Sequence, residues 1–143
     1  MAKRKEYLDL LKKKLKFDWS DEGLLEQALT HSSFTYESRQ NGLENNQRLE
    51  FLGDAVLELV ISDYLYRNHP GFDEGSLTKL RASVVCEASL ARAARALGLG
   101  PCLLMGKGEE RSGGRERPSI LADAFEALLG AVYLDQGLDK AAE

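Results

Sequence analysis

The chain has 143 residues, 43% hydrophobic and 29% charged, so it can bury one core and is too apolar to be disordered. The net charge is −4, but residues 1–16 carry seven lysines and arginines against two acids, which leaves an acidic remainder. An acidic surface is a poor polyanion binder by itself, because phosphates are bound by Lys and Arg. No apolar run reaches the roughly 20 residues of a membrane span, and the basic N-terminus has no uninterrupted apolar signal core, so we predict a cytoplasmic protein without membrane contact.

The first part of the chain has the patterns of three helices and one loop. Leu8, Leu11 and Leu15 form one apolar stripe opposite lysines, which predicts an amphipathic helix packed on a core. Asp21 is a candidate N-cap for a helix through EGLLEQALT. The segment SRQNGLENN is polar and predicts a loop, after which a long helix is predicted over about residues 47–66.

Further helices are predicted in the second part of the chain. NHPGFDEGS breaks the pattern, and LTKLRASVV and CEASLARAARALGL predict two helices, the second ended by Gly98 and Gly100. GKGEERSGGRERP predicts a long charged loop, and Ser119 is a candidate N-cap for a helix that ends near Gly137. Because no alternating pattern is long enough to predict a strand, we expect a single all-α domain.

Two of these helices carry paired carboxylates at helical spacing. Glu50 and Asp54 are four residues apart and Asp123 and Glu126 are three apart, so each pair lies on one helix face. Like charges at this spacing oppose helix formation, especially among apolar residues, and a bound cation would compensate them. Four hard oxygen ligands without His or thiolate suit Mg²⁺ or Mn²⁺. The sequence therefore predicts metal-dependent phosphodiester or phosphoanhydride chemistry.

Interior glycines and apolar flanking residues accompany the carboxylate pairs and favour a metal site over a solvated acidic surface. Gly53 and Gly130 lie inside the two acidic helices, where a glycine costs about 1 kcal/mol relative to alanine. We therefore expect each glycine to allow another backbone or side chain to approach closely, which would bring the carboxylates together. For the first pair, a solvated acidic stripe is the alternative, and the apolar flanks of the second pair argue against it. Other acids without such flanks are predicted to be solvated, namely Glu58, Asp63 and Asp135.

The two cysteines, Cys86 and Cys102, have neither CxxC spacing nor histidines arranged as partners. We predict that both are buried reduced thiols, with a disulfide as the alternative.

Several segments carry a resemblance to a known family. NNQRLEFLGDAVLELV resembles the signature of the ribonuclease III family, and ADAFEALLGAVYLDQG resembles its second acidic motif. ALTHSSF, EGSLTKLRA and MGKGEERSGGRERPSIL resemble further family segments in the expected order. The resemblance implies an all-α endonuclease domain that cleaves double-stranded RNA with Mg²⁺, or Mn²⁺ in its place, and leaves 5′-phosphates and short 3′ overhangs. It also implies a homodimer in which the signature helices meet and each subunit cuts one strand.

By position, the resemblance assigns Glu50, Asp54, Asp123 and Glu126 to the family's metal-binding and catalytic acids. Of these four predicted metal ligands, we expect Asp54 and Glu126 to be the pair most needed for turnover. Phe51 matches an aromatic residue that the family uses at its dimer interface, with an ordinary core phenylalanine as the alternative.

Other positions carry weaker expectations. Glu74 matches an acid near the family's catalytic valley, although a favourable charge at a helix N-terminus explains it equally well. Gln47 stands where the signature commonly has Glu, and we expect it to alter RNA or metal affinity at most. His31 is expected to be a hydrogen-bonded structural residue outside the catalytic set. The charged loop holds four cations that either contact RNA phosphates or are balanced by neighbouring acids: Lys107, Arg111, Arg115 and Arg117.

We interpret residues 1–143 as the nuclease domain. Many family members continue into a basic double-stranded-RNA-binding domain, so a truncated form of a longer protein is preferred to a natural nuclease-only protein. Two other functions stay open: a noncatalytic RNA-binding or assembly dimer, which the four acids argue against, and an all-α nucleotide pyrophosphohydrolase, whose acidic helices follow a different spacing.

Overall fold

Helices account for the regular structure of residues 2–37 and 44–142, the residues that the computed structural model describes. One isolated parallel bridge joins Thr30 to Leu104, and no strand occurs in these residues. The prediction of an all-α fold is therefore confirmed, whereas most of the loop predicted before the first acidic helix lies outside the described residues. The helices are α1 (Ala2–Leu15), α2 (Glu22–Ala28), α3 (Ser32–Glu37), α4 (Gln47–Asn68), α5 (Glu74–Val85), α6 (Glu87–Leu97), α7 (Lys107–Arg111), α8 (Pro118–Gln136) and α9 (Leu138–Ala142).

Helix α8 lies at the centre of the fold. Its sequence is apolar on nearly every side, as expected of a helix surrounded by others. Helices α2, α4, α6 and α9 pack against it, and α4 makes the most extensive contact. None of the helices in the described part of the chain is both long and apolar enough to cross a bilayer. The largest fully buried apolar side chains include Leu11, Leu25, Leu29, Leu99, Leu103 and Leu121.

The backbones of α4 and α8 touch where each helix carries a glycine. A Cβ atom on Gly53 would lie 1.6 Å from the carbonyl oxygen of Glu126. A Cβ atom on Gly130 would lie 2.5 Å from the carbonyl oxygen of Leu49. Real Cβ atoms do not approach other atoms this closely, so only glycine fits at either position. The predicted close approach is confirmed, and it places the two acidic helix segments side by side.

The ends of several helices follow the predicted signals. Asp21 caps α2, because its side chain accepts a hydrogen bond of 2.9 Å from the Gly23 N–H. Gly98 ends α6 with a φ of 75°, in the left-handed region that favours glycine. Gly137 ends α8, as predicted. Helix α4 extends two residues beyond the predicted boundary.

The segment before α8 differs from the prediction. Ser119 is not the N-cap, because α8 already begins at Pro118 and the capping position is occupied by Arg117. Proline suits the first turn of a helix, where its fixed φ is helical and its missing N–H is not needed. The preceding stretch is also not a structureless loop, since it forms α7 and a short 3₁₀ turn over Gly114–Glu116.

Two arginines hold this segment in place. Arg115 donates hydrogen bonds to the carbonyl oxygens of Gly100 (2.9 Å) and Leu103 (2.7 Å). Arg117 forms a salt bridge of 2.6 Å with Glu109. Arg115 also forms a salt bridge of 3.0 Å with Glu110, so for these two arginines the alternative that neighbouring acids balance the charge is confirmed. The other two cations of the segment, Lys107 and Arg111, are exposed.

Two further predictions need correction. Both cysteines are free thiols, but only Cys102 is buried, since Cys86 is exposed at the junction of α5 and α6. Asp135 is not merely solvated, because its carboxylate accepts hydrogen bonds from the backbone N–H groups of Ser20 (3.0 Å) and Asp21 (2.8 Å). These long-range bonds attach the start of α2 to the end of α8.

Candidate metal centre

An acidic cluster forms where α4 and α8 touch. Glu50 comes from α4, and Asp123 and Glu126 come from α8. One carboxylate oxygen from each of the three residues lies within 4.8 Å of the other two. Glu126 is buried, with 9% of its surface exposed, and Glu50 is partly buried. Acids that are 73 residues apart in the chain are therefore brought to one place by the glycine contact between the two helices.

Asp54 occupies a different position from the other three predicted ligands. It is exposed on α4, one turn after Glu50, and does not belong to the three-residue cluster. Its carboxylate nevertheless shares a hydrogen bond with Glu126. The acids predicted to be solvated on the same helix, Glu58 and Asp63, are indeed exposed.

Burial and mutual repulsion disfavour negative charge on the carboxyl groups of the cluster. Burial raises the pKa of Glu126 to about 8, helped by the hydrogen bond with Asp54 and by the charges of the neighbouring acids. Burial also raises the pKa of Glu50, with further contributions from Asp123 and Asp54. The pKa of Asp123 is raised by burial and by the charge of Glu87. Raised pKa values at several neighbouring carboxyls indicate a site that favours either protons or a cation.

Basic side chains in the described residues do not neutralise these acids. Among residues 2–37 and 44–142, no lysine or arginine forms a salt bridge with any of the four. The donors of the cluster are all carboxylate oxygens, which fit a hard divalent cation such as Mg²⁺ or Mn²⁺. When bound to such a site, a divalent cation lowers the pKa of a coordinated water and stabilises charge on a phosphate.

Other residues with predicted roles lie on the surface. Phe51 is 82% exposed on α4, so the alternative that it is an ordinary core residue is wrong. Gln47 and Glu74 are the exposed first residues of α4 and α5.

Two neighbours of the cluster were not predicted from the sequence. Glu87, the first residue of α6, is close enough to raise the pKa of Asp123. The charge of His31 acts on Asp123 in the opposite direction. Neither residue has a spacing relation to Asp123, so only the packing of α8 against the rest of the fold reveals their proximity.

Comparison with known proteins identifies the family. The sequence model of the ribonuclease-III-like family matches residues 21–143. The chain belongs to the ribonuclease-III-like family. Among its ribonuclease-III-like relatives, Ribonuclease 3 of Pelotomaculum thermopropionicum is 78% identical over 142 residues, which are 99% of this chain and 59% of the relative. Ribonuclease 3 of Desulforamulus reducens is 67% identical over 139 residues, which are 97% of this chain and 56% of the relative. The chain thus spans somewhat more than half the length of these relatives.

Solved structures of ribonuclease-III-like proteins have the same fold. The nuclease domain of ribonuclease III from Campylobacter jejuni is 46% identical and superposes with a TM-score of 0.87, covering 94% of this chain and 90% of that domain. That structure was described for structural flexibility in the region involved in dimer formation. Dicer from Pichia stipitis is 28% identical with a TM-score of 0.60, covering 84% of this chain and 48% of Dicer.

Proposed function

We propose that the chain is a Mg²⁺-dependent endoribonuclease domain that hydrolyses phosphodiester bonds in double-stranded RNA and serves RNA processing. The observation that carries this proposal is the cluster of Glu50, Asp123 and Glu126, formed by two distant segments in a chain of the ribonuclease-III-like family. Mn²⁺ is expected to replace Mg²⁺, and the expected products have 5′-phosphates and short 3′ overhangs. The nuclease-domain interpretation of residues 1–143 and the cytoplasmic location stay predictions.

We propose that the four acids have different roles at the site. Glu50, Asp123 and Glu126 are the ligands that can reach one cation together, because their oxygens are mutually close. Asp54 lies beside Glu126 and shares a hydrogen bond with its carboxyl group, so it helps to orient that ligand. Substitution of either Asp54 or Glu126 should therefore reduce turnover.

We further propose that the chain acts as a homodimer through α4. Phe51 is 82% exposed, and Leu59, Tyr64 and Tyr66 on the same helix are also exposed. Large exposed apolar side chains on one element favour a protein interface over a solvated surface. The Campylobacter jejuni nuclease domain has a region involved in dimer formation, which supports a dimer by analogy but does not identify the helix.

Membership of the ribonuclease-III-like family argues against the pyrophosphohydrolase alternative, and a cleavage assay tests the noncatalytic one. Intact chain is incubated with a long perfect RNA duplex at low salt, with Mg²⁺ or with EDTA. An Asp54→Asn, Glu126→Gln double variant is tested in parallel, and Glu58→Gln serves as the matched control because Glu58 is an exposed acid on α4 outside the cluster.

We expect Mg²⁺-dependent cutting into short duplexes by the intact chain and the control, and none by the double variant. The acidic surface predicts weak binding of RNA by this chain, so the assay uses a high enzyme concentration. Absence of cutting by the intact chain at high enzyme concentration would contradict the proposal. Hydrolysis of nucleoside triphosphates in its place would favour the pyrophosphohydrolase.

A further inference from the structure

An open cavity is formed by the end of α1, the start of α2 and the segment between them. Its volume is about 560 Å³, which lies within the range of about 300–1,000 Å³ that is typical of small-molecule sites. Most of its lining consists of lysines and aromatic residues, namely Lys12, Lys13, Lys16, Phe17 and Trp19. Lysines beside aromatic side chains are typical of sites that bind single-stranded nucleic acids.

The segment that joins α1 to α2 is fixed in position. Lys16 turns the chain with a φ of 60°. The carbonyl oxygen of Asp18 accepts a hydrogen bond of 3.1 Å from the Gln136 side chain, and the Asp135 carboxylate accepts two more from the backbone just before α2. Glu126 lies ten residues before Gln136 in α8, about 15 Å away along the helix axis. The cavity is therefore preformed and separate from the acidic cluster.

The aromatic part of the lining offers apolar surface. The rings of Phe17 and Trp19 are tilted against each other with their centroids 5.1 Å apart, and both are half-buried against the core. The Nε1 atom of Trp19 is buried and has no hydrogen-bond partner among the described residues. The exposed part of the Trp19 indole is therefore carbon, which suits contact with a flat ring of a ligand better than contact with a polar group.

The charged part of the lining is positive on balance. Lys12 forms a salt bridge with Glu22, so these two charges compensate each other. Lys13 and Lys16 are exposed, and within residues 2–37 and 44–142 neither takes part in a salt bridge. The remaining acid of the lining is Asp18, which leaves one net positive charge. The cavity therefore attracts an anionic group.

Helix α1 cannot use this charge at a membrane surface in the manner of a basic amphipathic helix. Leu11 is fully buried, and Leu8 and Leu15 pack against the same core. A helix bound to a membrane needs its apolar face for the lipid. Among soluble ligands, a carboxylate-rich peptide supplies charge but leaves the aromatic surface unused. A nucleotide supplies both a phosphate and a flat base.

We propose that this cavity binds an unpaired RNA nucleotide, with its base against Phe17 and Trp19 and its phosphate beside Lys13 and Lys16. The choice of RNA rests on the proposed function, whereas the site itself does not involve the acidic cluster. The nucleotide is unpaired because the faces of a base within a duplex are covered by its neighbours, so only a splayed base can reach an aromatic side chain. The site thereby holds a single-stranded segment that flanks the duplex.

The fluorescence of Trp19 reports on the cavity, because Trp19 is the only tryptophan of the chain. The chain is titrated with a short oligouridylate, which does not pair with itself, in EDTA and at a series of salt concentrations. We expect a saturable change in the fluorescence. In a Lys13→Gln, Lys16→Gln double variant, the slope of log affinity against log salt should fall by about 1.4, since each phosphate contact of a single strand contributes about 0.7.

A Lys3→Gln, Lys5→Gln double variant is the matched control. It removes the same charge from exposed positions of α1 that do not line the cavity, and its salt slope should stay that of the unmodified chain. An equal loss of slope in the two double variants would overturn the inference, because RNA would then bind to the general charge of α1. Absence of any fluorescence change with oligouridylate would also overturn it.

The contact with the base is tested separately. Phe17→Leu keeps an apolar side chain but removes the ring, and it should weaken oligouridylate binding by about 5- to 100-fold, the usual loss for one stacked base. A thermal unfolding curve checks that this variant folds, and the lysine variants test the site independently of Phe17. Full affinity in a folded Phe17→Leu variant would overturn the base contact. Inorganic phosphate or polyglutamate that bound as tightly as oligouridylate would likewise overturn the assignment to a nucleotide.

Cleavage of a fully paired RNA duplex with Mg²⁺ separates this inference from the proposed function. The Lys13→Gln, Lys16→Gln double variant should cut such a duplex almost as fast as the unmodified chain, because the duplex offers no unpaired nucleotide. A chain that cuts duplex RNA but does not bind oligouridylate would overturn this inference alone. A chain that binds oligouridylate in the cavity but cuts no duplex would support this site and refute the proposed function.

Discussion

Substitution of Gly53 by alanine perturbs the contact that assembles the acidic cluster. The added Cβ would lie 1.6 Å from the carbonyl oxygen of Glu126, whereas ordinary contact begins at 3.4 Å. The two backbones must therefore separate locally by about 1.8 Å, because neither atom belongs to a flexible side chain. Overpacking of this kind costs about 1–3 kcal/mol or more, and the better helix propensity of alanine returns only about 1 kcal/mol. We expect a net loss of about 2 kcal/mol in the free energy of unfolding.

For a domain of this size, that loss lowers the thermal midpoint by about 5 °C or more. The shift also moves Glu126 relative to Glu50, so Mn²⁺ affinity should fall by about tenfold or more. Gly108→Ala is the matched control, because Gly108 lies in α7 with nothing within 4 Å of an added Cβ, and its midpoint should not fall. A Gly53→Ala variant with the thermal midpoint and Mn²⁺ affinity of the unmodified chain would show that the backbone contact at Gly53 does not assemble the acidic cluster.

Three further predictions concern charge, loop anchoring and assembly. The pKa of Glu126 is about 8 in the folded chain, above its ordinary value of 4.5, so the stability that its proton contributes is complete below pH 4.5 and is lost as the pH rises towards 8. In urea unfolding with EDTA, Glu126→Gln should therefore be more stable than the unmodified chain by up to a few kcal/mol at pH 8.5. The difference in the free energy of unfolding should be smaller at pH 5.5. The same difference at both pH values would contradict the raised pKa of Glu126. Arg115→Ala should lose about 1–3 kcal/mol, because two backbone carbonyls lose their donor, while exposed Arg111→Ala should stay within about 0.5 kcal/mol by the same assay. Phe51→Ala should weaken dimer association by about tenfold or more in sedimentation equilibrium, with Tyr7→Ala on α1 as the control, and an unchanged association constant would exclude Phe51 from the interface.

Local signals predicted the parts of the site that depend on helix geometry. The spacing of each carboxylate pair placed its members on one face, and the interior glycines predicted that the two acidic helices approach closely. Because two helix backbones can touch at such glycines, the sequence predicted that the carboxylates of the two helices would lie close together. Glu50, Asp123 and Glu126 do so.

The remaining features depend on contacts between distant segments. Asp54 lies outside the three-residue cluster because the crossing of α4 over α8 decides which turn of each helix faces the other. The charge interaction between His31 and Asp123 joins distant segments of the chain, which no local pattern reveals. The bonds of Arg115 to two carbonyls likewise join segments that only the folded chain brings together.

The start of α8 shows a different difficulty, since two valid start signals compete there. Ser119 is a good N-cap residue, and Pro118 is a good first residue of a helix. The helix uses the proline, and the serine then lies inside its first turn.

We expect the acidic cluster of Glu50, Asp123 and Glu126 to bind the divalent cation of the reaction. A crystal of the chain soaked in Mn²⁺ and measured near the manganese absorption edge would locate the ion directly. An anomalous peak should lie among the carboxylate oxygens of Glu50, Asp123 and Glu126 and should be lost in Glu126→Gln. A peak at another site, or an ion that persists unchanged in Glu126→Gln, would contradict it.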